Sequence, residues 1–512
     1  MKTRLAAGIA AFMLAAAPAF AQARLDVDLD TPIGTIQPEI YGQFLEHLGL
    51  QPYDGIWVGP DSDIPNTDGI RDDVFNALKA LEVPVVRWPG GCYADLYHWQ
   101  DGIGPQADRP LRTNMVWGGT PEPNSFGSYE FFNFAERLGA KTYLNLNLGT
   151  GTVKEAADWL EYLTATTGDR AEARRANGRD APWKVDYIAV GNETWGCGGH
   201  QTAETYADQY AMFASFTKTE GEQPKRIISG SHDGNIDYSD TVLSHPYIAG
   251  LAEGISLHYY TLPTGDWGKK GDAIGFPEAE WMSAIKRTVQ MDGLIDAQAE
   301  MFAKHEDLSE DFGLYVDEWG MWVDPATEDE PSLHQQNTMR DAVVAGLNLN
   351  IFHKHADVVK MTNIAQMVNV LQAMILTDGP DMVLTPTYHV FAMYKPFMGA
   401  EALAVTLDDG PAYLLGGDSV PALSASAART ADGRFVLALV NADAKTAHDV
   451  DAGAFGLKYA IGQQLSAKTM DAHNDFAHPD AVKPAPFAAS ATRNGLILTL
   501  PPRSVTVVTL ED

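Results

Sequence analysis

The sequence predicts an α/β fold class: a (β/α)8 TIM barrel with an all-β, jelly-roll-like sandwich as C-terminal domain. Three observations lead there. Eight short apolar runs rich in β-branched and aromatic residues, mostly separated by helical patterns, occupy the chain up to residue 362. Near residue 400 the helical periodicity gives way to short strands broken by Gly, Asp and Asn. Most of the eight runs also end in polar or charged side chains, as in a barrel whose carboxyl-end loops build a pocket. The 512 residues exceed one ordinary domain and accommodate a barrel plus a smaller unit.

Taken in order, residues 1–23 have the pattern of a secretory signal. Lys2 and Arg4 precede the apolar stretch Leu5 to Ala17, and Ala19-Phe-Ala21 fits a cleavage site, with cleavage near Ala21 or Ala23. The expectation is a periplasmic or secreted protein. No other uninterrupted apolar run reaches membrane length, so no membrane partner is expected. The net charge of −32 argues against a nucleic-acid partner, which would require a basic face. Residues 24–40 are read as an N-terminal strand joining the sandwich, 41–395 as the catalytic barrel and 396–512 as the sandwich.

The first barrel strand is Ile40 to His47, ending in Glu46 and His47. Val74, Leu78 and Leu81 then mark a helix over 71–81. Val83 to Trp88 is the second strand, with Arg87 near its end. A helix over 126–138 leads to the third strand, Ala140 to Leu148, and Thr152 is placed to cap a helix over 152–166. Trp183 to Val190 is the fourth strand and ends in Asn192 and Glu193. Helix 203–219 and a strand over 226–231 follow, then Gly254 to Tyr260, which carries His258. A long helical stretch over 277–304 precedes Gly313 to Glu318. Helix 333–353 and the strand 357–362, ending near Gln366, complete the barrel. Beyond it, Arg434 to Asn441, Gly495 to Leu500 and Ser504 to Leu510 alternate as sandwich strands.

The chemistry collects at strand ends. Glu193 and Glu318 are two carboxyls in one polar pocket, the requirement of glycoside cleavage: one donates a proton to the leaving oxygen and the other is ionised. Arg87 and Tyr260 would favour a charged Glu318, whereas Glu193 near Trp195 would stay protonated more easily. Trp88, Trp99, Trp195, Trp319 and Trp322 fall in or near the loops, where they would either stack on sugars or pack the core. No HExxH, CxxC, EF-hand, phosphate-loop or GxSxG pattern appears. His353 and His355 do not share a helix face, so no metal site is read there. Cys92 and Cys197 lie in glycine-flanked loops and are either a disulfide or two free buried thiols.

Gly42-Gln-Phe-Leu-Glu-His-Leu-Gly49, Arg87-Trp-Pro-Gly-Gly91, Asp101-Gly-Ile-Gly-Pro105, Gly191-Asn-Glu193, Ser256-Leu-His258, Asp317-Glu-Trp319 and Ala365-Gln-Met-Val-Asn369 together resemble glycoside hydrolase family 51, mostly α-L-arabinofuranosidases. The resemblance runs from about residue 24 to the C-terminus. It implies a barrel with a β-sandwich and a double displacement with net retention, without metal or organic cofactor. It implies Glu193 as acid/base and Glu318 as nucleophile. Glu46, Arg87, Asn192, His258, Tyr260 and Gln366 fall where the family lines the terminal arabinofuranose subsite, with Trp99 and Trp322 as walls. Many members carry an asparagine where this chain has Cys92. A subgroup pairs a cysteine there with Trp-Gly-Cys-Gly-Gly after the acid/base, which implies that Cys92 and Cys197 sit together beside the sugar. The implied partner is an arabinofuranosyl-containing carbohydrate, and many relatives are homo-oligomers. A β-xylosidase or endo-β-glucanase on the same barrel and a non-catalytic carbohydrate-binding protein are the alternative readings.

Overall fold

The computed structural model describes residues 23–232, 234–325 and 332–512. The first 22 residues, and with them nearly all of the expected signal segment, lie outside the described residues. Eight strands close a parallel barrel in chain order: Gly42–Phe44, Val85–Trp88, Lys141–Leu146, Tyr187–Val190, Lys225–Ile228, Gly254–Thr261, Gly313–Met321 and Val359–Ile364. Helices cover most of the outside. These strands read as short apolar runs because a parallel barrel buries both of their faces.

The barrel interior is filled in layers by alternate residues. Val85, Tyr143, Tyr187, Ala189, Ile227, Tyr315 and Met361 form one apolar plug. Two residues further along strands two, three and seven, the same inward face presents Arg87, Asn145 and Asp317, all buried. The apolar plug is therefore the floor on which a polar layer stands. Strand seven departs from strict alternation. Ser256 pairs with Tyr315 and His258 with Glu318, so two steps on strand six face three on strand seven. The mismatch recurs against strand eight, between Val316 and Trp319. This bulge lets two successive residues, Asp317 and Glu318, both take partners inside the barrel.

Helix Val153–Thr164 starts as the sequence predicts, with Thr152 accepting the Glu155 amide at 3.1 Å. The long stretch over 277–304 divides into Glu278–Thr288 and Gln290–Phe302. At the break the Thr288 hydroxyl donates to the Ala284 carbonyl one turn back, a local bond of the kind that competes with the helix ladder. Helices Asp169–Ala176 and Ile236–Leu243 have no counterpart in the sequence reading.

The C-terminal part is a nine-stranded sheet that also takes in Ala23–Thr35, between Glu401–Asp408 and His448–Asp451. Its inner residues, among them Leu25, Leu403, Leu437, Leu439, Leu498 and Val508, share one core. The alternate residues Val436, Ala438 and Val440 belong to the large core of the barrel. Period-two patterning thus serves two cores from one strand. No helix among the described residues is long and apolar enough to cross a membrane.

Candidate active site

Glu318 lies on the bulged strand with both oxygens occupied. Arg87 Nη1 donates to Oε1 at 2.9 Å and the Tyr260 hydroxyl donates to Oε2 at 3.0 Å. Burial raises its carboxyl above the usual range, His258 and Arg87 pull it back, and Glu193 raises it again. Arg87 is itself buried, and its fork also reaches the Asn192 side chain and Asp317, its Nε lying 3.5 Å from Asp317 Oδ2. Burial weakens this guanidinium's charge, but Asp317 and Glu318 outweigh it and raise its pKa.

Glu193 follows strand four with a left-handed backbone, φ +42°. A non-glycine residue holds that conformation only where its surroundings impose it. Here the Gly196 and Gly198 amides both donate to the Glu193 carbonyl, at 2.7 and 3.0 Å. Gly198 must be glycine, because a Cβ there would stand 2.0 Å from the Asn192 carbonyl oxygen. The carboxyl meets His258 Nδ1 at 2.8 Å through Oε1, and Cys197 Sγ lies 3.5 Å from Oε2. Its close partners are thus His258 and the cysteine pair. Trp195 lines the same pocket, but its indole N–H goes to the Gly230 carbonyl. Cys92 and Cys197 are joined in a disulfide, with Cα atoms 5.6 Å apart. It ties the loop after strand two to the loop after strand four.

Glu46 forms another side of the pocket. It accepts from the Tyr93 amide, Trp117 Nε1 and Gln366 Nε2 at 3.0, 2.9 and 3.1 Å. Burial, reinforced by the Glu318 charge, pushes its carboxyl up to about 7 against these three donors. Gly91 makes room for it, since a Cβ there would lie 2.6 Å from Oε2.

The pocket brings together Glu46, Cys92, Glu193, His258, Tyr260, Glu318, Trp322 and Gln366. Arg87 and Asn192 are buried beside it and act on its walls. Trp99 is a correction. It is 2% exposed, tilted against Tyr162, with its indole N–H on the Glu155 carbonyl, so it packs helix against loop instead of walling the sugar. Trp117 and Trp267 line the pocket in its place. Neither sits in a periodic stretch, which is why pattern reading passes over them. Asp95 was also missed. It accepts the amides of Leu148, Gly149 and Asn192 and so fastens three loops; burial raises its carboxyl to about 6.

Glu193, His258 and Glu318 present ligand-type atoms within 4.8 Å of one another, as do Asp292, Asp296 and His355. In the first group Arg87 already neutralises Glu318, and in the second Lys354 Nζ lies 2.8 Å from Asp292. Both groups are self-compensated as they stand.

An eight-stranded barrel with two carboxyls converging at its carboxyl-end mouth defines the class of glycosidases that work through paired acids. The comparisons with known proteins narrow this. Residues 77–268 match the family model of the α-L-arabinofuranosidase 1 domain, and residues 317–504 that of the α-L-arabinofuranosidase C-terminal domain. An intracellular exo-α-L-arabinofuranosidase of Bacteroides ovatus is 44% identical over the whole of both chains. A probable α-L-arabinofuranosidase C of Aspergillus niger is 30% identical over 87% of this chain and 90% of its own. The crystal structure of the GH51 arabinofuranosidase from Xanthomonas axonopodis pv. citri superposes with a TM-score of 0.92 at 43% identity, covering 96% of this chain and all of that one. The chain belongs to glycoside hydrolase family 51, the α-L-arabinofuranosidases.

One expectation is overturned. The Bacteroides relative, matched end to end, is named an intracellular enzyme, which contradicts a periplasmic or secreted location. That expectation rested on the first 23 residues alone, a basic start, a short apolar run and an Ala-x-Ala cleavage pattern.

Proposed function

We propose that this chain is a retaining exo-α-L-arabinofuranosidase that releases terminal α-L-arabinofuranosyl residues from arabinan- or arabinoxylan-type polysaccharides or oligosaccharides. Glu318 is the nucleophile and attacks the anomeric carbon. Glu193 gives its proton to the departing oxygen, then takes one from the water that hydrolyses the glycosyl-enzyme ester. Residues 41–395 carry this chemistry, and 396–512 with 24–40 buttress it. Glu46, Cys92, Tyr260, Trp322 and Gln366 line the sugar subsite.

The observation that carries this reading is the pairing of the two acids. An oxygen of Glu193 lies within 4.8 Å of one of Glu318. Retaining enzymes hold their carboxyls at about 5–5.5 Å, whereas inverting ones leave a wider gap of about 6.5–9.5 Å for water. Their partners also differ. Glu318 is held by a guanidinium and a phenol, both donors to an anion, while Glu193 shares its oxygen with a histidine ring nitrogen that can give or accept a proton.

Glu318→Ala is expected to abolish turnover of every arabinofuranoside. Glu193→Ala should keep most activity on aryl arabinofuranosides with good leaving groups, which need little proton donation, and lose about 100-fold or more on oligosaccharides. Equal collapse on both substrate classes would sink the assignment of Glu193. Hydrolysis of aryl xylosides or glucosides in preference to the arabinofuranoside would overturn the substrate.

A further inference from the structure

Strand seven carries two successive acids, and the reading above uses only Glu318. Asp317 is more deeply buried, 1% exposed against 5%. It faces the same histidine that touches Glu193. His258 Nε2 lies 3.1 Å from Asp317 Oδ1, and Nδ1 lies 2.8 Å from Glu193 Oε1. The other oxygen of Asp317 receives the Tyr143 hydroxyl at 2.8 Å and faces Arg87 Nε at 3.5 Å. Burial raises the Asp317 carboxyl, but Arg87, His258 and Tyr143 outweigh it and bring it below the usual range. Asp317 is therefore an anion and can only accept, which fixes a proton on Nε2 of the imidazole.

This leaves one proton for the contact between Nδ1 and Glu193. Either an imidazolium faces a carboxylate, or a neutral imidazole accepts from a carboxylic acid. Both arrangements satisfy the 2.8 Å contact, and they differ only in which atom holds the proton.

We propose that Asp317 is a positioning residue which, by holding the Nε2 proton of His258, makes His258 and Glu193 a pair that shares the single catalytic proton through Nδ1. The inference rests on the reading of Glu193 as acid/base. In the first half-reaction the shared proton leaves the pair for the glycosidic oxygen. The C1–O bond breaks as Glu318 bonds to C1, and the pair is left as neutral imidazole and carboxylate. In the second half-reaction water gives a proton to the pair, its oxygen bonds to C1, and the ester to Glu318 breaks. The pair then stands as it began. Burial pulls the imidazole down, but the Glu318 carboxylate, the hydrogen bonds to Asp317 and Glu193 and the Asp317 charge carry it up to about 10, so the proton is retained across neutral pH. The groups facing the ring nitrogens are Glu193 from strand four and Asp317 and Glu318 from strand seven, with Arg87 and Tyr143 reaching the ring through Asp317; His232, beyond strand five, pairs with His258 through the backbone and lines the same pocket.

The test is a leaving-group series of aryl and alkyl α-L-arabinofuranosides, run on wild type, Asp317→Asn, His258→Gln and Glu193→Ala, with kcat/KM followed against pH. In Asp317→Asn the Nε2 proton is no longer compelled. Activity on poor leaving groups should fall about 100-fold or more and on dinitrophenyl substrates less than 10-fold, and the basic limb should move down by about one pH unit or more. His258→Gln, which removes Nδ1 and leaves strand seven intact, should steepen the series in the same way. Loss of equal size on every substrate in both variants would make the two residues structural and overturn the proposal. If Glu193→Ala itself leaves the series unchanged, the assignment of Glu193 fails as well. If Glu193→Ala alone steepens it, only the role of Asp317 and His258 is lost.

Discussion

The barrel mouth and the seam between barrel and sheet domain each bury a histidine, and the two behave in opposite ways. His258 at the mouth has carboxylates on both ring nitrogens and a pKa lifted to about 10. His353 at the seam, 1% exposed, meets the hydroxyls of Tyr41 and Ser426, each at 2.8 Å, and lies stacked on Phe397. Burial alone acts on it and lowers its pKa to about 3. The depth is similar, so it is the neighbours' charge that decides the state of the ring. The mouth is built of charges held ready for a reaction that moves charge. At the seam, neutral hydrogen bonds join two cores and nothing there needs to ionise.

The most damaging way to break this contrast is to discharge the mouth. Arg87→Ala leaves Glu318 and Asp317 without their guanidinium, and Asn192 without its donor. An orphaned buried charge costs about 3–5 kcal/mol. We expect that loss in urea unfolding together with a fall in kcat/KM of about 1,000-fold or more. Arg87→Lys should recover part of the stability and little of the activity, because a point charge cannot address three partners in a plane. Retention of kcat/KM within tenfold in Arg87→Ala would show that the mouth does not depend on this charge.

The seam breaks in acid. The folded pKa of His353 lies near 3 against a usual 6.5, so the unfolded chain takes up a proton that the fold refuses. The resulting stability is present above pH 6.5 and lost as pH falls toward 3, at about 1.4 kcal/mol per pH unit inside that window. Between pH 6.5 and 4 wild type should lose about 3 kcal/mol more than His353→Gln, which has no proton to gain. Parallel acid denaturation of the two proteins would remove His353 as the cause.

How the two regions were legible follows the same division. The barrel could be read because a parallel strand buried on both faces must be a short apolar run, as Gly313 to Met321 is. The sheet domain could be read because its alternation feeds two cores. At the site, Glu193 and Glu318 stood out as acids ending such runs. What surrounds them did not, for reasons of geometry. Asp317 should point away from Glu318 by strict alternation, and only the bulge, set by pairing with both neighbouring strands, lets both acids lie inside the barrel, Glu318 in the pocket and Asp317 against Arg87, His258 and Tyr143. Trp117 enters the pocket from the hairpin Arg112–Asn114 and Thr120–Glu122, whose strands are too short to have a period. Trp99 misled because a tryptophan in a loop reads the same whether it faces a sugar or, as here, Tyr162. Glycine was more informative: Gly91 and Gly198 mark places where Glu46 and Asn192 come closer than any Cβ allows.

The smallest expected effect sharpens the comparison by giving the mouth a pH signature opposite to that of the seam. Glu46 is buried beside Glu318 and titrates near 7 instead of 4.5. The fold therefore favours its protonated form. The stabilising contribution is full below pH 4.5 and is lost as pH rises through 7, a span worth about 2–3 kcal/mol. Glu46→Gln keeps the shape and cannot ionise. Its melting temperature relative to wild type should rise between pH 5 and pH 8, even though kcat/KM falls with the loss of a sugar-facing acceptor. His353→Gln should show its relative gain in acid, and the double variant should show both, because the two sites share no partner. If the stability difference between Glu46→Gln and wild type stays flat from pH 5 to 8, then Glu46 is ionised throughout. The donors Tyr93, Trp117 and Gln366 would then outweigh the burial and the neighbouring charge that oppose them.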